Sequence, residues 1–307
     1  MKIGFRVDAN HDIGFGHIKR CLVLANQIRG IGDVVFFSKY KEAIDIIESE
    51  QFKVIEITDE LVNFKNSKID KLFIDLKWKI DESYINSIKD LGIKTILYDN
   101  DGLGIKVADV VILPIVYENK ELFNLVEGEL FYGFEYAIID KKFFGERQKV
   151  KKKTILITMG GSDINDMTGK IVDMLKLLKE DFICNIVIGP GFKNQNFIID
   201  DERFVVMKNV NNMAELMLKS DLGIILYGVT AYEAVAARLP TIMISDSHNL
   251  IEMKKFCKVM GITDLGLSID LDHKKLNKNV LQLFNNKNLN LTKYLNNNKI
   301  IKAINGV

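Results

Sequence analysis

Lys2-Ile-Gly-Phe-Arg6-Val-Asp8-Ala-Asn-His11-Asp-Ile-Gly14-Phe-Gly16-His17-Ile-Lys-Arg20-Cys-Leu-Val-Leu-Ala25 is a short apolar run, a polar loop with two glycines, and an amphipathic run of helical spacing. A strand that leads through a glycine turn into a helix is the first half of a β-α-β unit, so the stretch predicts an α/β fold built on a parallel sheet. Working outward, β-type runs recur at Val34–Ser38, Lys53–Ile57, Leu72–Asp75, Thr95–Tyr98 and Val110–Leu113, with helix-length runs near 17–29, 41–50 and 81–91. Around Phe143–Lys153 the pattern gives way to a polar, basic stretch that reads as a linker. The alternation then restarts with strands at Thr154–Met159, Phe182–Ile188, Phe204–Met207, Leu222–Tyr227 and Thr241–Ser245, and helices near 165–179, 212–219, 230–237 and 249–260. Two Rossmann-like domains are therefore expected, over 1–145 and 153–307. The Asn-rich tail after Asp270 forms one or two helices of the second domain, or its last helix crosses back to the first.

The 307 residues suit two domains, each with its own core. A net charge of +1 removes any bulk attraction to nucleic acid or an anionic membrane. No apolar stretch reaches the 18 or so residues of a membrane span, and the first strand meets Asp8 too early to be the apolar part of a signal peptide, so a cytoplasmic location is expected. Cys21, Cys184 and Cys257 lack paired spacing and read as small core residues. No histidine pair has metal-ligand spacing, so neither a metal nor a cofactor is expected. No heptad repeat stands out, so a monomer is expected.

Open parallel sheets bind ligands beyond the carboxyl ends of their strands, which directs attention to the loops that follow strands. In the first, Gly14 and Gly16 permit a tight turn, and His17 falls in the first helical turn. There the positive end of the helix dipole disfavours imidazolium, which predicts a ring able to accept a proton as a general base. Met159-Gly160-Gly161-Ser162-Asp163 runs from a strand toward a helix, where open N–H groups and the helix end suit a diphosphate; a plain tight turn is the simpler alternative. Tyr227-Gly228-Val229-Thr230-Ala231-Tyr232-Glu233, again a strand, a glycine turn and a helix, resembles the nucleotide-binding segment of MurG-type transferases; the resemblance implies Glu233 as the helix glutamate that accepts from both ribose hydroxyls, and an exposed helix glutamate with no ligand is the alternative. His248 and Asn249 follow the next strand, where proteins that the segment resembles carry an amide residue near the sugar or phosphate; the resemblance implies that role for His248 or Asn249, and a solvated loop explains them equally. Asp99 and Asp101 follow another strand and could face a sugar or simply form a turn. His11 and His273 read as surface residues.

The segment from Phe5 through Ala25 resembles the opening of the UDP-sugar hydrolases of pseudaminic acid biosynthesis and of the related spore-coat polysaccharide proteins. The similarity continues at Tyr132-Gly-Phe-Glu-Tyr136-Ala and at Met159-Gly-Gly-Ser-Asp163, and spans about residues 1–265. It implies a GT-B-type fold akin to the MurG transferase, with UDP held mainly by the second domain and the sugar between the domains. It implies Asp8, Gly14, Gly16, Arg20, Asp75, Lys77, Asp99 and Tyr136 as sugar contacts, and Gly160, Gly161, Ser162, Asp163, Tyr227, Thr230, Glu233, His248 and Asn249 as UDP contacts. Two departures stand out. The family's Asp-His-Tyr segment, whose tyrosine is tied to catalysis, is Asp75-Leu76-Lys77 here, and Ile139-Asp140 replaces a Leu-Arg pair. The expected activity is metal-independent, inverting hydrolysis of a UDP-activated amino or deoxy sugar with His17 as base, in nonulosonic acid or surface-polysaccharide synthesis such as flagellin glycosylation. A GT-B glycosyltransferase using a UDP-sugar donor and a non-catalytic nucleotide-sugar binder are the alternatives.

Overall fold

The computed structural model describes residues 1–116, 119–161, 163, 165–189, 191–193, 198–208, 210–246, 249–285 and 299–306. The chain divides into two compact units, Met1–Ile138 with Asn296–Val307, and Ile139–Leu295.

The first unit carries β1 (Lys2–Val7), α1 (Gly16–Ile28), β2 (Asp33–Ser38), α2 (Lys41–Ser49), β3 (Lys53–Glu56), α3 (Glu60–Ser67), β4 (Lys71–Asp75), α4 (Glu82–Lys89), β5 (Lys94–Tyr98), β6 (Val110–Leu113), α5 (Lys120–Phe123) and β7 (Glu129–Tyr132). Its seven strands are parallel and lie in the order β3-β2-β1-β4-β5-β6-β7. With helices on both faces, the central strands have no solvent side, which is why Phe5, Val7, Leu72, Phe73, Ile96 and Val111 are all buried. A row of rings crosses four neighbouring strands under α1: Phe36 on Phe5 at 5.0 Å, Phe5 on Phe73 at 5.3 Å, and Phe73 on Tyr98 at 5.3 Å.

The second unit carries β8 (Lys153–Thr158), α6 (Met167–Lys176), β9 (Phe182–Ile188), β10 (Phe204–Lys208), α7 (Met213–Lys219), β11 (Leu222–Leu226), α8 (Val229–Ala236), β12 (Thr241–Ser245), α9 (Leu250–Met260), β13 (Thr263–Leu267) and α10 (His273–Asn285). Its order, β10-β9-β8-β11-β12-β13, repeats that of the first sheet, again all parallel. In both sheets the first and fourth strands are neighbours, and the strand order reverses between them. These two reversals are the crevices in which doubly wound sheets take ligands.

Three expectations need correction. The stretch 143–153 is not a free linker but part of the second unit. Phe143 is buried, Gln148 N–H donates to the Leu218 carbonyl at 2.9 Å, Arg147 donates to the Ser220 carbonyl, and Arg238 donates to the Gly145 carbonyl at 2.5 Å. The unit boundary therefore falls at 138/139. The end of the chain corrects the 153–307 boundary and bears out the alternative of a last helix that crosses back to the first unit: α11 (Lys299–Asn305) buries Ile300, Ala303 and Ile304 in the first core, and Lys71 Nζ donates to the Ile304 carbonyl at 2.8 Å. The strands β7 and β13 were also unanticipated. Both are sheet edges, half-exposed, and lack the unbroken apolar pattern of the inner strands.

Because Ile304 is fully buried against the first sheet, truncating it leaves a cavity there. Ile304→Ala should destabilise the first unit by about 2–5 kcal/mol. A lowered urea midpoint for that unit is expected, and an unchanged midpoint would show that α11 does not dock.

Candidate active site

The crevice between β1 and β4 is organised around one buried carboxylate. Asp75, the last residue of β4, is fully buried. Arg20, one turn into α1, clamps it with both arms: Nε donates to Oδ2 at 2.6 Å and Nη2 donates to Oδ1 at 2.5 Å. The remaining arm, Nη1, donates to Asp99 Oδ2 at 2.6 Å, and the guanidinium lies 4.8 Å from the centre of the Tyr98 ring. Asp99 adopts a left-handed backbone with φ 51°, a conformation Asp tolerates better than most residues, and it turns its side chain back to Arg20.

His17 completes the group. Its Nδ1 lies 2.7 Å from Asp75 Oδ1. Burial alone would raise the Asp75 carboxyl, but the charges and hydrogen bonds of Arg20 and His17 outweigh it and hold the group well below the usual carboxylate range. An ionised carboxylate only accepts, so the bond places a proton on Nδ1 and makes Nε2 the nitrogen that carries the lone pair whenever the ring is neutral. Arg20 Nη2 also approaches Nδ1, at 3.1 Å, but it is committed to Asp75, and two donors cannot bond each other. Arg20 is held raised despite its burial by Asp75 and Asp99. Cys21 joins from behind, its thiol donating to Asp75 Oδ2 at 3.5 Å; burial and that carboxylate push the thiol far up, so it stays protonated.

Before α1 the loop closes on itself through Gly14 N–H to the Asn10 carbonyl at 2.8 Å, with Gly14 at φ 90°. Asp8 lies beneath the loop, buried, accepting from Arg6 Nη2 at 2.8 Å, Ser38 Oγ at 3.0 Å and Lys39 N–H at 2.9 Å.

The expected sugar contacts Asp8, Arg20 and Asp75 are buried and hydrogen-bonded to internal partners. His17, the expected base, and Asp99, one of the remaining expected sugar contacts, are partly open to solvent. Gly14 and Gly16 shape the loop, and Lys77 is exposed, its Nζ donating to the Asp12 carbonyl at 3.2 Å. The Tyr136 ring packs against Phe131 at 5.5 Å, with Lys299 Nζ 5.9 Å from its centre, and its carbonyl accepts from the hydroxyl of Tyr98 at 3.3 Å. Asp101 pairs with Lys79 at 2.9 Å on the surface. His11 is exposed, stacked edge-on against Phe15, as a surface residue would be.

The second unit differs at its own crevice. Asp163 caps α6, its two oxygens accepting from Met167 N–H at 2.8 Å and Thr168 N–H at 2.7 Å. A carboxylate of the chain thus already occupies the helix end that was expected to meet a diphosphate, which corrects the expectation for Asp163. Gly160, at φ 71°, and Gly161 still border open space: a Cβ added at either meets nothing within 4 Å among the described residues. On the opposite side no described side chain caps the helix end. Across the crevice α8 begins at Gly228 with no side-chain cap, and a Cβ at Gly228 likewise meets nothing within 4 Å. Thr230 lies in the first turn of α8 and Glu233 one turn further on, while Tyr227 packs edge-on against Phe256 at 5.5 Å. Asn249 is bound to Asp246 Oδ1 through its backbone and side chain, each at 3.1 Å. Ser162 and His248 lie outside the described residues. Among the described residues no three His, Cys, Asp or Glu side chains converge as a metal site, and no helix is long and apolar enough to cross a membrane.

Two parallel sheets with the same reversed strand order, each with a glycine loop at its crevice, define a GT-B fold. Solved structures agree: MurG of Acinetobacter baumannii matches over 97% of this chain and 95% of its own, with a TM-score of 0.65 at 13% identity, and the glycotransferase of kitacinnamycin matches over 98% and 95% with a TM-score of 0.68 at 11% identity. No protein-family model matches the chain. Among curated relatives, an uncharacterised protein of Methanocaldococcus jannaschii, MJ1062, is 32% identical across 90% of this chain, which spans 63% of that relative's length. The spore coat polysaccharide biosynthesis protein SpsG of Bacillus subtilis is 25% identical over 87% of the chain and 84% of its own length. The UDP-2,4-diacetamido-2,4,6-trideoxy-beta-L-altropyranose hydrolase of Campylobacter jejuni is 30% identical over 72% of this chain and 83% of its own length. The chain belongs to the family of that hydrolase.

The Asp75 contacts have a consequence for stability against pH. A carboxyl group with an ordinary value of 3.8 that is lowered by folding contributes stability fully above that value and loses it progressively as pH falls below it. Urea unfolding of the wild type should therefore weaken steadily below about pH 4, whereas Asp75→Asn should lack that part of the slope. At pH 7 the variant should be less stable by about 3–5 kcal/mol, because Arg20 is left buried without its partner. Parallel pH profiles of the two proteins would contradict the charge assignment.

Proposed function

We propose that the chain hydrolyses a UDP-activated sugar at its anomeric carbon, releasing UDP and the free sugar. The observation that carries this reading is the His17–Asp75 pair, in which a buried, anionic Asp75 fixes the proton on Nδ1 and leaves Nε2 to accept one. In the reaction, Nε2 takes a proton from water as its oxygen bonds to C1. The C1–O bond to the β-phosphate breaks, its electron pair stays with the departing UDP, and the centre inverts. The aspartate stabilises the imidazolium formed in that step and keeps the ring from rotating.

On the nucleotide side, the uncapped N-terminus of α8 and the open space at Gly228, Gly160 and Gly161 suit the diphosphate, whose negative charge grows as the bond breaks. Glu233 suits the ribose hydroxyls. Membership of the hydrolase family supports water as the acceptor, and the similarity to SpsG supports a place in surface-polysaccharide synthesis. The reaction as drawn calls on no metal, since the α8 amides carry the leaving-group charge.

His17→Ala should lower the release of UDP from the best substrate in a UDP-sugar panel by 10²–10⁴-fold while leaving UDP affinity unchanged by calorimetry. Wild-type turnover in that variant would sink the mechanism, and turnover that appeared only on addition of a sugar acceptor would make the chain a transferase. The rate should survive excess EDTA. Glu233→Ala should weaken UDP binding about tenfold, the effect of losing a charge-assisted hydrogen bond.

A further inference from the structure

The loop that follows β4, Leu76-Lys77-Trp78-Lys79-Ile80, starts one residue beyond Asp75 and holds the single tryptophan of the chain. Trp78 is 42% exposed, unusual for so large a ring on an ordered loop. The loop around it is firmly held. Leu76 and Ile80 are buried on either side, and buried Asn100 ties them together: its Nδ2 donates to the Leu76 carbonyl at 3.3 Å and to the Trp78 carbonyl at 2.8 Å, while its Oδ1 accepts from Ile80 N–H at 3.1 Å and Gly102 N–H at 3.0 Å. Lys77 joins the loop to the His17 loop through the Asp12 carbonyl.

The ring itself is held from below. The guanidinium of Arg6, fully buried, lies 5.7 Å from the indole centre, and it is fixed by Asp8 and by Glu60, to which its Nε donates at 2.8 Å. One face of the indole therefore rests on a buried cation, and its exposure belongs to the other face and the edge. A solvent-facing aromatic plane, held both by its backbone and from beneath, three residues from the carboxylate that orients His17, is suited to the C–H face of a pyranose ring. Hydrophobic contact and C–H groups over a π face stabilise such a stack without the rotamer entropy a flexible side chain would lose.

The geometry points to Trp78 as a binding residue for the sugar of the nucleotide-sugar, a platform that accepts a pyranose with an unhindered C–H face. This rests on the reading of the chain as a UDP-sugar enzyme, which it deepens by giving the sugar its own anchor apart from the nucleotide.

Since Trp78 is the only tryptophan, its emission reports this site alone. The full-length chain is titrated with UDP, with a panel of UDP-hexoses, UDP-N-acetylhexosamines and UDP-6-deoxyhexoses, and with the free sugars, while calorimetry measures binding in parallel. The expected result is an emission change with at least one UDP-sugar and none with UDP. Trp78→Ala should lose about tenfold in affinity for that sugar nucleotide while keeping its affinity for UDP, and Trp78→Phe, which preserves a stacking face, should recover most of the loss. The ring is half in solvent, so both variants should fold, which far-ultraviolet dichroism checks. Emission unmoved by sugars that calorimetry shows bound, full affinity in Trp78→Ala, or a panel in which no sugar alters binding relative to UDP would each overturn the platform. Failure of UDP itself to bind would instead sink the nucleotide reading, and the free-sugar arm would then decide the platform alone.

Discussion

A carboxylate sealed from water at the end of a central strand stays ionised only if cations close on it, and much of the first unit is arranged to meet that demand. Arg20 reaches Asp75 from the first turns of α1 with two parallel hydrogen bonds, and His17, three residues earlier on the same helix face, supplies the third contact. The helix is thereby locked to the fourth strand at the point where the strand order reverses. Asp99 takes the last arm of the guanidinium and draws in the turn after β5. One helix and two strand ends are thus joined by charge, and the imidazole is aimed as a by-product of satisfying a buried ion.

The two units answer the same topology differently. In the first, the reversal point is filled with paired charge and presents an oriented nitrogen. In the second, it is lined by glycines with open space beside them, and only α6 is closed off, by Asp163. The helix end that no described side chain caps is that of α8. An oriented base in one unit and an uncapped helix terminus in the other are what a proton acceptor and an anionic leaving group respectively require.

The alternation of apolar runs made the paired α/β architecture legible, because inner strands of parallel sheets are apolar on both faces and leave an unbroken signature. Edge strands such as Glu129–Tyr132 and Thr263–Leu267 do not, since one side of each meets solvent. Among the site residues, His17 and its glycines were readable because they sit together in one loop. The partnership of His17 and Arg20 with Asp75 was not, since 58 and 55 positions separate them and only strand pairing brings them together. That is why the mutual pairing of Asp75 and Arg20, and the Arg6, Ser38 and Lys39 contacts of Asp8, were not legible in the sequence. Asp163 misled for a local reason: a left-handed Asp166 lies between it and the helix it caps, a detour that no spacing rule anticipates.

The return of α11 to the first core makes that unit discontinuous along the chain, with the whole of Ile139–Leu295 inserted before its last helix. On the ribosome, residues emerge from the amino end onward, so the inserted unit has every strand of its sheet available while its older neighbour still waits for Ile300 and Ile304. The nascent first sheet must therefore tolerate an uncovered apolar seam throughout the translation of the second, and maturation of the earlier-made half waits on a helix synthesised only after its neighbour.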